Sequence, residues 1–194
     1  MKFEVRSSLK DAPGTIAKEE TANMEDVVIR GISLERNQAK VTVDDVRDEP
    51  GIAGRIFSTI AAGNISVDMI VQSVSEHGTT DVSFTIHEND LPGATELLTP
   101  LVKEVQAAGL ITKAGVAKLS VVGIGMRSHS GVAARLFQCL GKGGINIQLI
   151  STSDIKIAVI IEESELESAA QLTHEAFGLA RLTPSVGLTL ATSN

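Results

Sequence analysis

The sequence predicts an α+β protein made of two ferredoxin-like (βαββαβ) modules, the first inserted in the second, each an antiparallel sheet with helices on one face. Three observations predict this. The stretch Asp48–Ser75 returns in step as Ser128–Ile155. Gly51 aligns with Gly131 (131 − 51 = 80) without a gap; Ala53 then meets Ala133, Arg55 meets Arg135, Phe57 meets Phe137, Gly63 meets Gly143 and Ile65 meets Ile145. A period of 80 is too long for a solenoid and suits a duplicated small domain. Finally, apolar periodicity in each copy runs strand, helix, strand, strand, helix.

The elements follow in order. Residues 1–25, with S-S-L-K-D-A-P-G-T, are expected to form an extended arm. Val27–Leu34 reads as a strand, Glu35–Gln38 as a turn and Ala39–Val43 as a second strand. Pro50 suits a first helical turn, and Ile52, Ala53, Ile56, Phe57 and Ile60 form the apolar stripe of a helix. Gly63 is expected to end it in the left-handed conformation. Ile65, Val67, Met69 and Val71 alternate as a strand, Glu76–Gly78 turn, and Val82, Phe84 and Ile86 return. A second helix opens at Leu91-Pro92, carries Leu97, Leu98, Leu101 and Val105, and ends near Gly109. Val116–Val122 gives another strand. The order then repeats as a helix to Leu140, strands Ile145–Ile150 and Ile155–Ile161, and a helix Glu165–Phe177; the tail 181–194 is expected to be loose. Two strands precede the first helix and one lies between the copies, so Val27–Leu34 should complete the second sheet. The first module is then 38–113, and the second is 26–37 plus 114–180.

Composition narrows the function. The 194 residues are 43% hydrophobic and 21% charged, a globular balance. Net charge is −7, from 24 acidic and 17 basic residues, which disfavours nucleic acid and anionic membranes as partners. RNA-binding sheets of this fold need exposed aromatic and basic residues, but aromatics are 3% here, with no Trp or Tyr. The single cysteine, Cys139, sits on an apolar helical stripe and cannot form an intramolecular disulfide. No apolar run reaches about 18 residues and the start lacks a signal-peptide core, so a soluble, cytoplasmic protein is expected. His77, His87, His129 and His174 have no metal-ligand spacing. Asp44, Asp45, Asp48 and Glu49 read as a solvated acidic turn rather than a Mg²⁺ site. Ser128-His129-Ser130 are loop neighbours, poorly placed as a nucleophile with its base. Gly141-Lys142-Gly143-Gly144 follows a helix and precedes a strand, the reverse of a phosphate loop. No metal, cofactor or catalytic set is expected.

The informative place is the turn into the first helix of each copy, V-R-D-E-P-G-I-A and M-R-S-H-S-G-V-A. A glycine there leaves amide donors uncovered at a helix start, where a carboxylate binds well. Asp48 adds an acceptor for an ammonium group, and together these suit a free amino acid. Asn64, Ser66, Asp68 and Gln72 add polar groups on the following strand; Asn146, Gln148 and Thr152 repeat the pattern.

These segments, with G-T-T-D (Gly78–Asp81), G-M-R-S-H-S-G and I-S-T-S-D-I, resemble the tandem ACT domains of aspartate kinase from about Val27 to about Gly178. The arm looks like the junction that follows the kinase domain in that family. The resemblance implies a non-catalytic regulatory part, either a natural β subunit or an excised regulatory region, partnered by a kinase catalytic subunit or domain. It also implies a homodimer that binds threonine, in some relatives with lysine, where modules pair. Carried over by position, the effector site is Asp48, Gly51, Ile52, Ala53, Asp68 and Gln72, closed by Asn146 and Ile147. A second site uses Met126, Ser130, Gly131, Val132, Ser66 and Val67, and lysine-related contacts fall at Ser75 and Thr79. Ser128 stands where Asp48 does, so the second site lacks that carboxylate. The alternative is a tandem-ACT sensor for a different metabolic enzyme.

Overall fold

The computed structural model describes residues 3–5, 15–17, 28–74, 78–124 and 131–179. In chain order these form β1 (Phe3–Val5), β2 (Thr15–Ala17), β3 (Val28–Arg47), α1 (Ile52–Ala62), β4 (Val67–Val74) and β5 (Thr79–His87). They continue with α2 (Leu91–Glu104), β6 (Gly109–Ile124), α3 (Gly131–Lys142), β7 (Leu149–Thr152), β8 (Lys156–Glu162) and α4 (Leu166–Ala176). β1 and β2 pair antiparallel, Phe3 opposite Ala17, so part of the arm is a small ladder rather than an isolated extended segment. The other strands form one antiparallel six-stranded sheet in the order β4-β5-β3-β6-β8-β7.

Two long strands hold that sheet together. β3 runs 20 residues without the turn expected at Glu35–Gln38. The polar run there is a kink. Asn37 takes φ 55°, Gly115 on β6 takes φ 68°, and the β3–β6 register slips on both sides of Gln38. Asn37 N–H donates to Glu163 Oε2 at 2.8 Å, while Arg36 pairs with Glu163 and Glu167, so loop-forming residues are satisfied inside a strand. Before the kink, Val28–Glu35 pair with Lys118–Ile124; after it, Val41–Asp44 pair with Gly109–Thr112.

Each half has its own core under its own helices. Ile52, Ile56 and Ile60 of α1 pack with Val41, Phe84 and Leu98; Val132, Leu136 and Leu140 of α3 pack with Leu119, Val159 and Leu166. The buried positions are four residues apart in both helices, which is the stripe read from the repeat. Burying each such side chain stabilises by roughly 1.5–3 kcal/mol. Phe57 and Phe84 meet edge to face at 5.3 Å. A third cluster, Met69, Val116, Leu149, Ala158 and Ile160, lies on the opposite, helix-free faces. There β4 lies against β7, so the sheet bends until the two halves share this face.

Several local expectations give way. Gly63 has φ −81°, and the left-handed residue is Asn64 at φ 56°; in the second copy it is Gly144 at φ 73°. The glycine sits instead where a neighbouring leucine crowds it. A Cβ at Gly63 would lie 2.4 Å from Leu97 Cδ1, and one at Gly143 2.3 Å from Leu172 Cδ1. The crowding atom is in each case the far end of a half-buried leucine that can turn aside, so Gly63→Ala and Gly143→Ala are expected to cost no more than about 1 kcal/mol each in denaturant unfolding. Gly54→Ala, in open space within α1, should stabilise by about 0.4–1 kcal/mol. α2 stops at Glu104, before Gly109, because Gln106 turns left-handed at φ 56°. Residues 145–148 precede β7 instead of forming part of it. The Ile65–Val71 alternation breaks at a bulge between Val67 and Ile70. Ile65 and Val67 pack on the first core, whereas Met69 and Val71 face the third cluster, because a one-residue slip reverses the faces.

Candidate functional site

The predicted loop leaves the end of β3 and enters α1. Asp48 N–H donates to Gly78 O at 2.9 Å, so the loop is tied to the start of β5. Glu49 N–H donates to Arg47 O at 3.0 Å and Ile52 N–H to Glu49 O at 3.3 Å, winding the chain tightly into the helix. Gly51 caps α1 with φ 99°, a conformation that strains any residue with a Cβ, although a Cβ there would meet nothing within 4 Å. Glycine is therefore required here by its backbone, and the space before the helix is open. Among the described residues no side chain caps α1, and no acidic residue lies in its first turn, so the positive end of the helix is not answered by its own residues. Asp48 is exposed beside it.

The strand register collects further candidates at the same end of the sheet. Arg47 is opposite Thr79, and Gln72, exposed on β4, is opposite Val82. Thr79 is half-buried. Ile52 is 7% exposed and gives its side chain to the core, leaving its backbone to the loop; Ala53 is half-buried.

Asp68 stands apart from these. It lies in the bulge of β4, where Met69 N–H donates to Thr85 Oγ1 at 3.1 Å, and its carboxylate accepts from Lys118 Nζ. Lys118 Nζ also lies 2.8 Å from Glu35 Oε1. Burial of Lys118 works against its charge, but the hydrogen bonds it donates to Asp68 and Glu35 outweigh it, and the ammonium is held above the ordinary lysine range. Lys118 escaped the sequence reading because a lysine between Ala117 and Leu119 reads as the solvated side of a strand. Only the bend of the sheet covers it.

Asn146 and Ile147 lie in the segment entering β7, Asn146 exposed and Ile147 against the second core. Among the described residues no hydrogen bond within the chain ties either to the Asp48 loop. In the second set, Gly131 is exposed at the start of α3, Val132 is buried, Ser66 is exposed and Val67 packs on the first core. Met126, Ser130 and Ser75 lie outside the described residues.

Near the first loop, Asp44 is raised above the usual carboxylate range by burial first, then by repulsion from Asp81 and Asp45. Asp45 N–H donates to Asp81 Oδ1 at 3.0 Å, so these acids brace the end of the sheet. Among the described residues no three His, Cys, Asp or Glu side chains converge as a metal site, and no helix is long and apolar enough to cross a membrane. A shallow groove between β3 and α4, lined by Ile32, Ala170, Gln171, His174 and Glu175, contains none of the predicted residues.

Known proteins resemble the chain throughout its described core. The family model for the ACT domain matches twice, at residues 41–99 and 119–177. An aspartate kinase of Pseudomonas fluorescens is 48% identical over 178 residues, covering 91% of this chain and 43% of the relative. The chain thus spans less than half the length of the curated relatives it matches. Among solved structures, one of aspartokinase alpha and beta subunits superposes with TM-score 0.73 at 44% identity, covering 78% of this chain and 99% of that one. The ligand-free regulatory subunit of aspartate kinase from Thermus thermophilus gives TM-score 0.72 at 34% identity, covering 77% and 98%. With both halves matched and the two-module fold shared, the chain belongs to the ACT-domain family, among the tandem-ACT regulatory regions of aspartate kinases.

Proposed function

We propose that this chain senses an amino acid, threonine and in some settings lysine, and feedback-controls an aspartate kinase at the first step of the aspartate pathway to lysine, threonine and methionine. The carrying observation is the α1 entry, where an unanswered helix start and a left-handed glycine lie beside the exposed Asp48 carboxylate. A zwitterion fits this pair, with its carboxylate on the helix amides and its ammonium on Asp48. Gly51, Ile52, Ala53 and Gln72 line the site with Asp48. Asp68 contributes through an oxygen not held by Lys118, and Asn146 and Ile147 close the site from a second chain. The pocket of Met126, Ser130, Gly131, Val132, Ser66 and Val67 binds more weakly for want of an acid at Ser128; Ser75 and Thr79 serve lysine. The modules are 38–113 and 26–37 plus 114–180, between the arm 1–25 and the tail 181–194.

A homodimer supplies the seam. β4 and β7 end the sheet order, and Ile70 (53% exposed) and Ile150 (43% exposed) occupy equivalent places on them (150 − 70 = 80), as apolar contacts for a second copy. The kinase catalytic subunit or domain is the further partner, in the cytoplasm. Binding controls the kinase only by as much as the effector prefers one state of the dimer, commonly about 1–3 kcal/mol. Thermal unfolding with threonine, lysine and other amino acids tests this. A rise in Tm with threonine or lysine, growing with concentration, is expected, and no shift with either would contradict the reading.

A further inference from the structure

Lys118 lies on the helix-free face of β6, 3% of its side chain exposed, with Met69, Val116, Leu149, Ala158 and Ile160 clustered on the same shared face. Its two carboxylate partners come from different halves of the sheet. Glu35 is its cross-strand neighbour on β3, before the kink, and Asp68 belongs to β4. A lysine removed from water this far holds its carboxylate partners firmly, since each bond lost leaves a buried ammonium donor without an acceptor. Asp68 needs such a holder because the bulge between Val67 and Ile70 takes it out of the ladder with β5.

The link is one-sided. The repeat places Gln148 where Asp68 stands (148 − 68 = 80), and Gln148 donates to Glu162 Oε1 at 2.9 Å. Lys113 reaches the same Glu162 oxygen, but these two side chains are 42% and 38% exposed. A buried cation thus ties β4 across the shared face, while β7 has only a half-exposed counterpart.

We propose that Lys118 is a positioning residue that couples the two modules: by holding the Asp68 carboxylate from β6, it sets the affinity of the amino-acid site on β4 and α1. The effect on affinity rests on the functional reading above; the mechanical link to β4 does not. Occupancy of the first module is thereby felt in the second, and a change in module packing alters affinity without touching the ligand.

The test compares the wild-type chain with Lys118→Met, Lys118→Arg, Asp68→Asn and the Lys118→Met/Asp68→Asn double variant, in two measurements. Without ligand, hydrogen exchange of β4 is expected to accelerate about tenfold in Lys118→Met while β8 keeps its wild-type rate. Calorimetry should show threonine affinity falling about fivefold or more, partly restored in Lys118→Arg, with the double variant no weaker than the weaker single one. Unchanged β4 exchange in a folded Lys118→Met overturns the link, as does equal acceleration of β4 and β8, which marks a merely structural lysine. Unchanged affinity with faster β4 exchange overturns the coupling. If Lys118→Met does not fold, exchange in Asp68→Asn decides the link by the same criterion. Should the wild-type chain bind no threonine, the functional reading fails, and the exchange measurement still decides the link.

Discussion

Replacing Asp48 with alanine is expected to raise the Kd for threonine about tenfold or more, the size of a lost hydrogen bond to a charged group. Folding should be nearly unaffected. The Asp48 side chain is exposed, and the loop is fixed through the Asp48 amide, which alanine retains in its bond to Gly78 O. Ser128→Ala in the second copy should change threonine affinity far less, because serine offers no charge to an ammonium group. Titrating both variants calorimetrically checks the ranking; equal losses would contradict Asp48 as the ammonium contact.

The largest effect on stability is expected beneath the helices. Ile56 and Leu136 occupy equivalent places in the repeat (136 − 56 = 80), and each is 0% exposed. Ile56→Ala and Leu136→Ala should each destabilise by about 2–5 kcal/mol, as a lost side chain plus the cavity it leaves. Because the residues sit in separate cores, the losses should add to within about 0.5 kcal/mol in the double variant, as denaturant unfolding would measure. Strong departure from additivity would mean that the shared helix-free face transmits strain between the halves.

The two helices were readable because a four-residue apolar spacing survives any tertiary arrangement that covers one face. Ile52, Ile56 and Ile60 keep their pattern beside Val132, Leu136 and Leu140. The turn into α1 was readable for a similar local reason, since Pro50-Gly51 before an apolar stripe marks a helix start. What the strands do together was much less legible. Glu35–Gln38 has the composition of a turn, and its role as a kink depends on Glu163, Glu167 and Gly115, which are remote in sequence. The bulge that reverses Met69 is specified by pairing with β5, not by its own alternation. The composition at Gly63 predicts a left-handed stop, but Asn64 takes that conformation, and Leu97 on the neighbouring helix crowds the glycine. Lys118 is the plainest case, because the element that buries it lies in the other half of the chain.

The central claim is that the open amides of α1 and the Asp48 carboxylate together recognise both charged ends of an amino acid. Calorimetric titration of the chain with L-threonine, beside 2,3-dihydroxybutanoate, which lacks the ammonium group, tests it most directly. Saturable heat with threonine and none with the analogue is the predicted result; no heat with threonine, or equal binding of both, would contradict it.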